Sequence, residues 1–136
     1  MKTLYFDCFA GASGDMILGA LVGAGADAGA LREQLQLLDV SDFDVSFTTV
    51  DRSGISATRA EVRTEDEHHH RHLSTILKII ESSRLSDAVR SRASRVFTRL
   101  AEAEARVHNV PVEKIHFHEV GAMDAIIDVV GACVGF

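Results

Sequence analysis

With 136 residues, 46% of them apolar, the chain is about one domain long and can supply one modest core. A net charge of −6, with acidic and basic residues interspersed, gives no reason to expect nucleic acid or an anionic membrane as partner. Cys8 and Cys133 stand far apart and Asp7 interrupts the only apolar stretch at the start, so neither a disulfide framework nor a signal peptide is expected and the setting is cytoplasmic.

In chain order, "TLYFDCF" at 3–9 mixes β-formers with short apolar alternation and predicts a strand. "AGASGD" breaks it, and a helix is expected through "MILGALVGAGA", with Ser13 as N-cap and Asp15 in the first turn. That stretch is too short and too rich in glycine and alanine to span a bilayer. A second helix is expected from about Ala28 to Leu38. Clean alternation over 43–50 and again over 57–64, around the turn chemistry of "DRSGIS", predicts a hairpin. From Leu73 the period turns helical, with Leu73, Ile76, Leu77 and Ile80 on one stripe. A longer helix is expected from about Ser86 to Val107, burying Val89, Ala93, Val96, Leu100, Ala103 and Val107 and turning Arg92, Arg95, Arg99 and Arg106 outward. Pro111 ends it, a strand-like "IHFHEV" follows, and a last helix begins after Gly121. The predicted class is α+β: a small, mostly antiparallel sheet packed by several helices in a single domain, 1–136. The last helix stops at Phe136 without a cap or a basic last turn, which suggests the N-terminal fragment of a longer protein.

Three stretches concentrate side chains able to hold a metal. In "EHHHRHL", at 67–73, His68 and His72 fall at i and i+4 if the run enters the following helix, with His69 and His70 beside them. Neutral imidazoles suit nickel, copper or zinc; the alternative is a solvated loop next to acidic neighbours. In the second stretch His116 and His118 flank Phe117, so an extended backbone puts both imidazoles on one side, with Glu119 next in sequence. The helix that follows carries Asp124 and Asp128 as its only polar side chains, four apart, and two such carboxylates need solvent, a cation or a positive partner. In the third stretch, "DCFAGASGDM", Asp7, Ser13 and Asp15 surround a glycine-containing loop at a helix start. Such a loop can hold a phosphate or a hard divalent ion, or merely cap the helix, and no P-loop is present.

Together, "DCFAGASGDM", "HHHRHL" and "VHNVPVEKIHFHEVGAMDAIIDVVG" resemble, in order and across the whole chain, the LarC family of nickel-insertion proteins. The resemblance implies a nickel chelatase, a lyase that places nickel in pyridinium-3,5-bisthiocarboxylic acid mononucleotide using CTP with manganese or magnesium. It implies a product with nickel–carbon and nickel–sulfur bonds, the nickel-pincer cofactor destined for lactate racemase. Carried onto this chain, it implies His116, His118 and Glu119 in catalysis, and Asp7, Ser13 and Asp15 toward the cofactor. Toward the metal it implies His68, His69, His70, His72, His116, His118, Asp124 and Asp128. Family members are longer, and the part that resembles a CTP-handling module has no counterpart here. A metal-dependent hydrolase and a non-catalytic nickel- or zinc-binding module stay as alternatives, and a homo-oligomer is left open.

Overall fold

The computed structural model describes residues 3–65, 70–118 and 120–136. The class is α+β as expected. Among the described residues the elements run α1 (Gly14–Gly23), α2 (Ala28–Leu35), β1 (Phe43–Arg52), β2 (Ile55–Thr64), β3 (Arg71–His72), α3 (Leu73–Ser82), α4 (Asp87–His108), β4 (His116–Phe117) and α5 (Met123–Gly135). The sheet is split in two: an antiparallel β1–β2 hairpin and a separate antiparallel β3–β4 ribbon.

Local chemistry explains most boundaries. Asp27 accepts hydrogen bonds from the N–H groups of Gly29 (2.8 Å) and Ala30 (3.0 Å), capping α2. The hairpin turns on Ser53 and Gly54, at φ of 55° and 83°, the paired left-handed residues that a two-residue loop between twisted strands requires. Asn109, left-handed at φ 52°, closes α4 two residues before Pro111.

The helices pack around α5, whose Ile126, Ile127 and Val130 are fully buried, together with Leu18 of α1, Leu35 of α2, Ile76 and Ile80 of α3 and Phe97 of α4. Two close approaches set the geometry at this end. A Cβ on Gly19 would lie 2.3 Å from the Thr58 carbonyl oxygen, so α1 sits on β2 only because that position is glycine. A Cβ on Gly14 would lie 2.4 Å from the Asp128 Cβ, which fixes how tightly α1 meets α5.

Three sequence expectations are corrected. The stretch 3–9 forms no strand: among the described residues nothing pairs with it, and β-formers without a hydrogen-bonding neighbour have no ladder to join. Its Tyr5 and Phe9 stay 82% and 94% exposed. The buried stripe of α4 is Ala93, Phe97, Ala101 and Ala105, rotated from the predicted one, because the large Phe97 ring claims the core and meets Phe117 edge-on at 6.4 Å. Val96, Leu100 and Val107 are consequently exposed, and so is Ala103. Third, the histidine run does not enter α3: the helix starts at Leu73, and His72 is its extended N-cap residue.

Candidate functional site: a histidine ribbon and a carboxylate pocket

The reason His72 stays extended is its partner strand. In the β3–β4 ribbon His72 stands opposite His116 and Arg71 opposite Phe117. Alternation along each strand then sends Phe117 into the core, where it is 1% exposed, and leaves the imidazoles on the other face. The rings of His72 and His116 lie 3.7 Å apart, centroid to centroid, tilted by 47°. One step further, His70 and His118 meet edge-on at 4.7 Å. Two histidine motifs more than forty residues apart in sequence therefore form one surface of four imidazoles. At this centroid separation the His72 and His116 rings are in stacking contact; two imidazoles sharing an ion at ~2.1 Å through their nitrogens have centroids roughly 4.5–5.5 Å apart, so this pair would part slightly to hold one metal.

Hydrogen bonds hold the ribbon. The His72 Nδ1 lies 3.2 Å from the Ile115 carbonyl oxygen, a contact it makes by donating its proton, which leaves Nε2 as the free lone pair. Arg71 Nη1 donates to the Gly121 carbonyl oxygen at 2.7 Å and ties the ribbon to the turn that opens α5. At Gly121 a Cβ would stand 2.6 Å from the Phe117 carbonyl oxygen and 3.0 Å from the Arg71 nitrogen, so the turn closes against the ribbon only with glycine. Sequence reasoning missed Glu104: this α4 carboxylate lines a small recess with His118, Phe117 and Val120, and no local motif points to it.

The second group lies at the junction of α1, β2 and the start of α5. Asp15, Asp124 and Asp128 line a pocket of about 320 Å³ with Arg59 and Glu61. Burial, then the neighbouring charges of Asp15 and Asp124, push the Asp128 carboxyl up to about 7, while a hydrogen bond from the Asp15 backbone pulls it partly back. Its Oδ1 is buried without a hydrogen-bond partner among the described residues. Arg59 and Glu61 were also missed, being supplied by a strand distant in sequence from all three motifs.

Of the remaining candidates, Ser13 occupies the N-cap position of α1 but makes no capping bond to the backbone; its hydroxyl donates to Asp15 Oδ1 instead. Asp15 also accepts from the Met16 N–H at 2.9 Å. Asp7 and Cys8 are exposed in the segment before α1, and Cys133 is buried at the far end of α5. His68, His69 and Glu119 lie outside the described residues. Among the described residues no three His, Cys, Asp or Glu side chains converge as a metal cage; the ribbon offers its imidazoles in pairs.

This arrangement can be set against known proteins. The profile of the family described as nickel insertion protein matches residues 4–136. The chain belongs to the nickel insertion protein family. A pyridinium-3,5-bisthiocarboxylic acid mononucleotide nickel insertion protein of Desulfitobacterium hafniense is 48% identical over 136 residues, covering all of this chain and 34% of that protein. A protein of Geotalea uraniireducens, named for nickel insertion, is 51% identical over 136 residues, covering 98% of this chain and 35% of its own length. The chain thus spans about a third of the length of these relatives. No solved structure matches it. Among the described residues no helix is long and apolar enough to cross a membrane.

Proposed function

We propose that this chain is the metal- and substrate-handling part of a nickel chelatase that inserts nickel into pyridinium-3,5-bisthiocarboxylic acid mononucleotide. The observation that carries the reading is the single imidazole face formed by His70, His72, His116 and His118. Membership of the nickel insertion family and the substrate named for the Desulfitobacterium relative support it. In this reading nickel is cargo. Pairs of neutral imidazoles capture it without caging it, and exchange from borderline nitrogen to the substrate's softer sulfur ligands then releases it. His68 and His69, next in sequence, belong to the same proposed nickel-capturing run. Forming the nickel–carbon bond replaces a ring C–H, so a base takes up the proton as carbon gives its electron pair to the metal; Glu119, His116 or His118 fills that role.

A hard divalent ion, manganese or magnesium, fits the carboxylate pocket by donor chemistry, and the buried, unpartnered Asp128 Oδ1 is the observation in its favour. Because the three carboxylates do not converge as a cage, such an ion would be held by one or two of Asp15, Asp124 and Asp128, with water and a phosphate completing its shell, and would supply charge neutralisation for that phosphate. Asp7 and Ser13, in the segment before α1, are assigned to the same phosphate on the family resemblance. CTP consumption, assignment to the lyases, delivery of the product to lactate racemase and a cytoplasmic setting belong to the same proposal for the full-length protein.

The test is nickel transfer to the bisthiocarboxylate mononucleotide by the full-length protein. His72→Ala/His116→Ala is expected to lower transfer at least a hundredfold, and Asp15→Asn/Asp124→Asn to lower it with nickel binding retained. Full transfer by the double histidine variant would remove the ribbon from the mechanism. Hydrolysis of phosphate or amide substrates without CTP would favour a metal-dependent hydrolase; indifference to the carboxylates would favour a binding module.

A further inference from the structure

Glu102 and Glu104 lie two residues apart near the end of α4, and their settings differ. Glu102 is exposed, with Arg99 at i−3 and Arg106 at i+4, the spacing at which a carboxylate on a solvated helix meets opposite charge. Glu104 has no lysine or arginine at these spacings: its neighbours three and four residues away are Leu100, Ala101, Val107 and His108. It is half-buried, and it has no hydrogen bond or ion pair among the described residues. The core decides where it faces. Glu104 stands about two turns beyond Phe97 and so shares nearly the same side of the helix, and Phe97 meets Phe117 of β4 edge-on at 6.4 Å. The carboxylate is thereby carried toward the ribbon, where it walls a recess of about 250 Å³ with Phe117, His118 and Val120.

A carboxylate drawn partly out of water without a counter-charge favours a cation beside it. The side chain across the recess is a metal-competent imidazole, and His118 is itself in edge contact with His70, 4.7 Å between ring centroids. We propose that Glu104 is a further nickel-binding residue: its carboxylate and the His118 imidazole act as an oxygen–nitrogen donor pair at the His70 end of the imidazole face, with water in the ion's remaining positions. The inference rests on the reading of that face as the nickel-capturing surface and adds to it what imidazoles lack, a negative charge for a dication. A mixed oxygen–nitrogen pair keeps the usual order of divalent affinities, with nickel above manganese, so the carboxylate does not turn this position over to a harder ion.

The experiment is calorimetric titration of the full-length protein with nickel chloride, with the ligand-field absorption of the bound ion recorded beside it. Wild type is compared with Glu104→Gln, Glu102→Gln, His118→Ala and the double variant Glu104→Gln/His118→Ala. Glutamine matches the shape of the glutamate, and Glu104 makes no bond within the described fold, so Glu104→Gln keeps the wild-type stability, which urea unfolding checks. Glu104→Gln is expected to weaken nickel binding at least tenfold and to shift the absorption bands, whereas Glu102→Gln changes neither. Once His118 is alanine, Glu104→Gln is expected to add little, because both side chains act on one ion. Wild-type affinity in Glu104→Gln, an equal loss in Glu102→Gln, or losses at Glu104 and His118 that simply add would overturn the proposal. Nickel binding that depends on the histidines but not on Glu104 removes Glu104 alone; binding indifferent to His70, His72, His116 and His118 removes the imidazole face and Glu104 with it.

Discussion

Asp128 is the residue whose ionisation is most constrained by its surroundings. Its carboxyl is pushed up from 3.8 to about 7, first by burial and then by Asp15 and Asp124. In the unfolded chain the same group ionises near 3.8, so between about pH 4 and pH 7 the folded state holds a proton that the unfolded state has lost. Metal-free stability is therefore complete below pH 4 and declines as pH rises toward 7. At about 1.4 kcal/mol per pH unit, discounted for the solvent that still reaches this half-buried group, the loss is about 1–2 kcal/mol. Asp128→Asn, measured by urea unfolding with a chelator present, is expected to recover about that much at pH 8 and almost none at pH 4. An equal gain at both pH values would show that the effect is not ionisation. His72 is constrained differently: its Nδ1–H donates to Ile115 and its Nε2 is left for a metal. His72→Ala is thus expected to lose nickel affinity at least tenfold, more than His70→Ala, whose exposed ring has no hydrogen bond of this kind among the described residues.

At the scale of elements, the ribbon is two residues per strand and cannot stand alone. It is anchored on one face by Phe117, fully buried against Phe97, and at one end by the close turn at Gly121. Gly121→Ala puts a methyl group against the Phe117 carbonyl, costing about 1–3 kcal/mol by overpacking. It should also separate the paired imidazoles, so nickel affinity falls although no histidine is touched; the check is nickel titration beside urea unfolding of the same variant. Phe117→Ala, by contrast, opens a cavity and is expected to cost about 3–5 kcal/mol.

The same elements show what could be read from sequence. Alternation around Ser53-Gly54 located the hairpin, and the spacing of His116, Phe117 and His118 placed both imidazoles on one side with Phe117 inward. Helical periodicity located α4 but not its rotation: Val96 and Leu100 are as apolar as a core residue, and only packing of the larger Phe97 decides which face turns in. The expectation that His72 enters the following helix failed for a similar reason, while its supposed i, i+4 partner His68 lies outside the described residues. Whether His72 joins a helix or a strand depends on β4, which is supplied by a segment over forty residues away. Glu104, Arg59 and Glu61 carry no local signal at all, since their place beside the motifs comes from tertiary contact.

For the molecule as a whole, the start of α5 links the two groups along the chain: Arg71 of the ribbon donates to Gly121, and Asp124 follows in the helix's first turn. Imidazole and carboxylate donors are thereby kept on different groups, which suits the proposed division between capturing nickel and binding a phosphate. Binding to the folded state alone stabilises it by about 2.7 kcal/mol at a hundredfold excess over the dissociation constant. Nickel is accordingly expected to raise the thermal midpoint of the wild-type chain and to leave that of His72→Ala/His116→Ala unmoved.

The most direct measurement is a double-mutant cycle on His72 and His116, read by nickel titration calorimetry. If the two rings share one ion, each single alanine variant loses about as much affinity as the double variant, and the coupling between them accounts for most of either loss. Strictly additive losses, or full affinity in the double variant, would contradict a nickel site built on the ribbon.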